Sequence, residues 1–457
     1  MRAASAASFL TAGVWSLPNR AGAAAAFAPP VAEIVLYRHA TLIDGTGGPS
    51  RGDMDVLVVG ERIEAVFPDT GPHPELDQTA KVVDLSGRFI LPGLIDAHVH
   101  LATPPNRRKA EAVMRRNLYG GVTTVRDMAD DLRAVGDLAR ASLVGEIAGP
   151  DIYYAALMAG PAFFTDQRTA MTTAGYTPGH VPWMQAVDNS SDLPLAVAQS
   201  RGTFASAIKL YAALPADLTG RITAEAHRQH MLVWAHATLY PARPSEVVAA
   251  GVDVISHACL LVREPESHVP AFGEPRTPVP LAPFSAGDNP ALARLFAEMV
   301  RRGTVLDATI WTYRTDPSGT ATAPRPPLSN CDDVVGGAIT GQAYRAGVLI
   351  DAGTDDYTDA ADPWPDLFHE LNAMAVKAHM PIGAVLRSAT LIGAQAVGQQ
   401  RDTGSIEPGK LANMVVLIRD PLISLDNLKS VQLVIKRGRV FSRTAFIPLT
   451  EDELSDL

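Results

Sequence analysis

Cysteine is nearly absent from this chain: Cys259 and Cys331 are the two among 457 residues. Two thiols build neither a spaced cysteine framework nor a thiolate zinc knuckle, so any metal chemistry must rest on His, Asp, Glu or Lys. Basic runs are missing too, and the formal net charge is −10. Without that electrostatic footprint, nucleic-acid binding is excluded. Beyond the N-terminal segment, no apolar stretch approaches the roughly 20 residues that span a bilayer. No G-x-G-x-x-G turn follows an early strand, which counts against an open, doubly wound nucleotide-binding sheet. What is abundant is apolar: 47% of residues are hydrophobic against 19% charged, the balance of a globular chain. The length suggests one large domain with an accessory domain.

The first 30 residues, "MRAASAASFLTAGVWSLPNRAGAAAAFAPP", carry Arg2, an apolar stretch to Leu17, and small residues at Ala21, Gly22 and Ala23. This is the pattern of an export signal with an A-x-A cleavage site. Residues 1–28 are therefore set apart as a signal peptide or disordered extension, and the expected location is periplasmic or secreted. The single n-region charge and Arg20 near the proposed cut leave the cytoplasm as the alternative.

From Glu33 onward short alternating segments, "EIVLYRHATLIDGTG", "DVLVVGERIEAVFP" and "KVVDLSGRFILPG", read as strands joined by Gly and Asp turns. Similar segments return near the end, "ANMVVLIRD" and "SVQLVIKRGRVF". Residues 33–92 and 404–446 are expected to pair into one small β-sandwich. Between them, residues 93–403 alternate eight apolar strand segments with helical stretches: "GLIDAHVH", "GVTTVRDM", "DIYYAALM", "SAIKLYA", "MLVWAHA", "VDVISHA", "TVLDATI" and "VLIDAGTDD". Strand–helix alternation implies parallel pairing, and eight units fit an α/β fold of the (β/α)8 TIM-barrel type.

The first of these strands ends in two histidines separated by one valine, His98 and His100. Residues i and i+2 of a strand share a face, so the two imidazoles can meet one cation. Polar residues end other strands as well: Lys209 the fourth, His236 the fifth, His257 the sixth and Asp355 the eighth. Barrel enzymes carry their chemistry at that rim. A lone histidine there is an ordinary core residue; five candidate ligands and a lysine at one end are a site. Three long segments, Met158 to Gly202, Leu260 to Pro290 and Ile310 to Gly337, lack clear periodicity and are expected to be pocket loops.

The set "DAHVH", "IKLY", "WAHA", "ISHA" and "GTDD", with "GGVTTVRDM" and "TGSIEPGKLANMVVL", resembles the amidohydrolase superfamily of metal-dependent hydrolases over nearly the whole chain after residue 33. The resemblance implies that His98, His100 and Asp355 hold one divalent metal, that His236 and His257 hold a second, and that Lys209 bridges them as a carbamate. Zinc is the expected ion. The interval of 21 positions between His236 and His257 is similar to the branch of Xaa-Pro dipeptidases, N-acyl amino-acid hydrolases and imidazolonepropionase-like proteins. Lys209 counts against the one-metal imidazolonepropionase type, and Leu239, where deaminases place a glutamate, counts against deamination. Two departures stand out: "KLYAALP" lacks the Gly-Gly pair of dipeptidase-like members, and Asn413 replaces a usual Asp.

The implied reaction is amide hydrolysis of a small dipeptide-like or N-acyl amino-acid substrate, with Asp355 as general base and then acid. Asp356 is its rival, and Asp351 shares the parity of Asp355 but lies deeper. Tyr211, Tyr240 and His268 are candidate substrate contacts, and Arg263 and Arg314 candidate carboxylate anchors against a reading as solvated surface arginines. Esterase, lactonase or phosphotriesterase chemistry is the near rival, and a non-catalytic binding protein keeping the barrel is the distant one. A homo-oligomer is compatible with all of these.

Overall fold

The strand Leu94–Val99 is buried at every position, as expected of a parallel strand covered on both faces. It opens a closed array seen in a computed structural model, which describes residues 33–70, 80–285, 288–314, 331–355 and 362–455. The export-signal segment lies outside the described residues. We label the barrel strands β1 (Leu94–Val99), β2 (Val122–Asp127), β3 (Asp151–Ala159), β4 (Ala207–Leu210), β5 (Leu232–His236), β6 (Val254–Ser256), β7 (Val305–Asp307) and β8 (Ile350–Asp351). Each pairs in parallel with the next. Closure comes from Ala97 N donating to Ala352 O at 2.8 Å and Asp355 N donating to His98 O at 2.9 Å, which joins the ends of β1 and β8. All eight segments read from the sequence are the barrel strands.

The intervening helices start and stop on local signals. Asn106 caps Arg107–Tyr119 by accepting from Lys109 N, and Asp131 caps Leu132–Val144 by accepting from Arg133 N. Asn289 caps Pro290–Arg302, where Pro is at the first helical position, and Gly303 ends that helix at φ +73°, a conformation that favours glycine.

The chain's two ends build a second sheet. Phe89–Pro92 pairs antiparallel with Met414–Leu417, so a strand leading into the barrel is joined to a strand leaving it. Around that seam lie Ile34–Leu42, Arg51–Val59, Arg62–Pro68 and Lys81–Asp84 on one side, and Val431–Lys436 and Arg439–Ser442 on the other. Their core is apolar, with Val35, Tyr37, Leu42, Val56, Ile90, Met414, Val416 and Ile435 all buried.

The segment after β3 is more regular than the sequence suggested. It holds a 3-10 turn Pro161–Thr165, a helix Gln167–Thr172, and a short strand Met184–Ala186 that pairs in parallel with β3. Its composition hid this, because two- and three-residue strands carry no periodicity. Cys259 and Cys331, on whose pairing the sequence was silent, form a disulfide. It ties the turn after β6 to the start of the helix Asp333–Arg345. No helix among the described residues is long and apolar enough to cross a membrane.

Candidate metal centre

His98 and His100 do share a face of the chain leaving β1. Their ring centroids are 5.5 Å apart. Each imidazole is held from behind by a carboxylate. His98 Nδ1 lies 2.7 Å from Asp307 Oδ2, and His100 Nδ1 lies 2.7 Å from Asp130 Oδ1. A carboxylate beside Nδ1 keeps the proton there and leaves the Nε2 lone pair facing forward. Both Nε2 atoms face one oxygen, Asp355 Oδ1, at 3.5 Å from His98 and 3.4 Å from His100.

Asp355 follows β8 at φ +48°, and His257 leaves β6 at φ +77°. Non-glycine residues in this region are strained, and strain of this kind persists where surrounding structure over-determines it. His257 is fixed by its own N–H donating to Asp307 O at 2.8 Å and by Nδ1 lying 2.9 Å from Thr309 Oγ1. Its Nδ1 is 3.9 Å from Asp355 Oδ2. Ligand atoms of His98, His257 and Asp355 all lie within 4.8 Å of one another. Donors bound at about 2.0–2.2 Å around one ion lie at most about 4.4 Å apart, so a closing of a few tenths of an ångström brings these nitrogen and carboxylate donors onto a divalent metal. His236, the last residue of β5, brings its ring to 4.8 Å from that of His257.

Lys209 stands on β4 in register with Leu157 of β3 and Trp234 of β5. Its side chain does not snorkel to solvent: the residue is 1% exposed. Among the described residues its one hydrogen bond runs from Nζ to Ser256 Oγ at 3.3 Å, and it has no ion pair.

Burial decides the charge states. It lowers the pKa of His98, takes His236 well below the ordinary value, and brings His257 down to about 3, each imidazole being stripped of water. Neutral imidazoles are the ligand form. His100 goes the other way: burial opposes its charge, but Asp130 and Asp355 outweigh that and lift it to about 10. The space between those two carboxylates thus attracts a positive charge. Burial likewise opposes ionisation of Asp355, but His98, His100 and His257 hold its carboxyl well below the usual carboxylate range. Lys209 is lowered to about 7, chiefly by burial.

Three participants, Arg126, Asp307 and Asp130, were not singled out from sequence. Arg126 Nη2 donates to Asp307 Oδ2 at 2.9 Å and lies 3.5 Å from Asp351 Oδ2, which builds a buried charged floor under His98. Asp130, behind His100, is the third, and Asp351 is the deep residue already read from the sequence. The signal for Asp307 was present, since it ends β7 as the other polar residues end their strands. Asp130 lies three residues past β2, where no periodicity points to His100. Asp356 lies outside the described residues.

The candidate substrate contacts separate. Tyr211 lies on the site, its ring centroid 4.0 Å from that of His236. Tyr240 instead lies under the Arg276 guanidinium, 4.1 Å from its ring centroid, and His268 lines a pocket with Arg263, Glu266 and Glu274. Arg263 is no surface residue. It is 2% exposed and its Nη1 donates to both Glu266 oxygens at 2.9 Å and to Thr277 O at 3.0 Å, so it fastens its own loop. Arg314 is exposed and stacks on Trp311 at 3.7 Å.

A dihydroorotase of Bacillus pumilus (strain SAFR-032) is 29% identical over 163 residues, 31% of this chain and 36% of that protein, so the chain spans little more than a third of this relative. Among solved structures, a Xaa-Pro dipeptidase with bound methionine in the active site superposes with a TM-score of 0.69 at 21% identity, covering 90% of this chain and 100% of the other. A prolidase complexed with N-methylphosphonate-L-proline gives 0.67 at 22% identity, with 90% and 100% covered. At those identities the superpositions show the shared fold. The model of the amidohydrolase family matches residues 89–441, from the seam strand through the whole barrel to the last sheet strand, and the chain belongs to that family.

Proposed function

We propose that this chain is a metal-dependent hydrolase that cleaves an amide bond in a dipeptide-like or N-acyl amino-acid substrate. Two divalent cations, zinc by the imidazole-rich donor set, would be held by His98, His100 and Asp355 and by His236 and His257, with Lys209 between them as a carbamate. The observation that carries this reading is Lys209: a fully buried amine among imidazoles, with a serine hydroxyl as its hydrogen-bond partner and a pKa near 7. A buried ammonium in that setting is costly, whereas its neutral amine can take up carbon dioxide and become an anion with two oxygens. The Xaa-Pro dipeptidase and the prolidase among the structural neighbours support the amide reading.

When bound, such cations acidify water and polarise a carbonyl oxygen. The chain's own residues do the rest. Asp307 and Asp130 orient His98 and His100. The ionised Asp355 carboxylate takes the proton of the attacking water at Oδ2 and returns it to the leaving nitrogen. Water adds to the carbonyl carbon, the C–N bond breaks, and a carboxylic acid and an amine result. Tyr211, whose ring lies beside that of His236, would donate to the oxyanion.

The test is a substrate panel at fixed metal content. Dipeptides and N-acyl amino acids should turn over, and metal analysis should find about two ions per chain. Turnover of esters, lactones or phosphotriesters with no amide cleaved would overturn the substrate class. Failure to take up metal would leave only a binding barrel. The predicted signal segment supports a periplasmic or secreted location, and a buried disulfide suits an oxidising compartment.

A further inference from the structure

Three loops meet beside His236. Phe163 and Phe164 come from the turn after β3, Tyr211 from the end of β4, and Phe272 from the proline-rich segment after β6. Their rings form one connected wall. Phe163 is 4.5 Å from Tyr211, 5.5 Å from Phe164 and 5.7 Å from Phe272, centroid to centroid, and Tyr211 is 4.0 Å from His236. The wall is therefore continuous with the metal centre.

A cation caps this wall. Arg168, on the helix Gln167–Thr172, holds its guanidinium carbon 5.7 Å from the Tyr211 ring centroid. Asp166 grips it through Nε at 3.1 Å and Nη2 at 2.7 Å, and the Tyr211 phenol is its neighbour on the wall side. Its side chain is 54% exposed, so unlike Arg263 it is reachable from solvent. Asp166 fixes the fork in place without covering all of its donors, which is how a pre-organised carboxylate anchor is built.

We propose that this wall and Arg168 form the subsite for the amine-side product. It would take an amino acid with an aromatic side chain, whose ring packs on the partly exposed Phe164 and Phe272, backed by the buried Phe163, and whose α-carboxylate is bound by Arg168. The inference rests on the amide-hydrolase reading and narrows it to aromatic N-acyl or dipeptide substrates. Planar rings favour offset or edge contacts with such a wall, and a guanidinium binds a carboxylate through paired N–H donors.

Calorimetry on the metal-loaded protein tests this with L-phenylalanine, L-phenylalaninamide and glycine. The expected result is that phenylalanine binds roughly ten- to a hundredfold more tightly than the amide, as for one charge-assisted hydrogen-bonded contact, and that glycine binds more weakly still. Arg168→Gln should erase the preference for the carboxylate, and Arg168→Lys, which keeps the charge without the fork, should retain part of it. A variant that merely loosened its loop would weaken phenylalanine and its amide alike. Undiminished preference in Arg168→Gln, or no preference in the parent protein, overturns the subsite. Turnover is read separately: an intact Arg168-dependent preference with no N-acyl amino acid cleaved sinks the hydrolase reading alone, and turnover without that preference sinks the subsite alone.

Discussion

Lys209 and Lys436 are both buried, one in the barrel mouth and one where the terminal sheet meets the barrel, and they differ in what surrounds them. Lys436, 4% exposed, lies 2.9 Å from Asp151 Oδ1 and donates to Ser142 Oγ and Gly149 O at 2.9 Å and to Ser142 O at 3.2 Å. Lys209, 1% exposed, has Ser256 Oγ at 3.3 Å. The first is a satisfied ammonium that pins two structural units together. The second is an amine with no ion pair: the Asp307, Asp355 and Asp351 carboxylates favour its charge only from a distance, and burial and Arg126 outweigh them, so the neutral amine is accessible. Burial alone thus does not mark a functional lysine; the missing partners do.

Substitutions should separate the two lysines cleanly. Lys209→Ala is expected to lose the second ion and on the order of a thousandfold or more in kcat/KM, several kcal/mol of transition-state stabilisation, with partial recovery on adding short carboxylates. Lys436→Ala should do the reverse: specific activity of the folded protein is retained, while denaturant unfolding shows a loss of about 1–3 kcal/mol. Asp151 Oδ1 and the facing Ser142 and Gly149 carbonyls lose their donor, while Arg437 still holds Asp151 Oδ2 at 2.8 Å. If Lys436→Ala abolished activity in folded protein, the contrast would fail.

The carboxylates of the mouth come next in size. Asp355→Asn should lower kcat by about 10²–10⁴ at saturating metal and leave the melting temperature of the metal-free protein nearly unchanged, because its roles are proton transfer and metal binding. Asp130→Asn and Asp307→Asn should each weaken metal affinity by roughly 10–100-fold, as orienting partners of ligating histidines do, measured by competition with a chromogenic chelator.

A pH effect follows from Lys209 itself. Its pKa is lowered to about 7, so the neutral amine predominates above that pH and the ammonium below it. Reconstitution of metal-free protein with zinc and bicarbonate should therefore become slower and less complete as pH falls below about 7, whereas Lys436 should not influence it. The smallest effect concerns the Cys259–Cys331 bridge, which closes 72 residues of chain. The paired Cys259→Ser and Cys331→Ser variant should lose about 2–4 kcal/mol of stability, read by thermal or denaturant unfolding.

Which parts of this were legible in the sequence follows from the same physics. Parallel barrel strands are buried on both faces, so each reads as an apolar run, and a polar residue at its end is conspicuous. That made β1 to β8 and His98, His100, Lys209, His236, His257 and Asp355 readable as one rim. Asp130, Arg126 and the disulfide were not, because each acts through a partner that only the closed barrel brings near. Arg263 shows the opposite failure: an arginine in a proline-rich loop reads as solvated, yet Glu266 and Thr277 bury it. Tyr211 and Tyr240 could not be ranked from sequence, since only the structure puts one on His236 and the other under Arg276.

The account is tested most directly by loading metal-free protein with zinc and ¹³C-labelled bicarbonate and reading metal content together with the carbamate carbon resonance. It predicts about two zinc ions and one labelled carbon per chain. It predicts loss of the label in Lys209→Ala and its retention in Lys436→Ala. A fully active protein that takes up no labelled carbon, or a Lys209→Ala variant that keeps both ions, would contradict it.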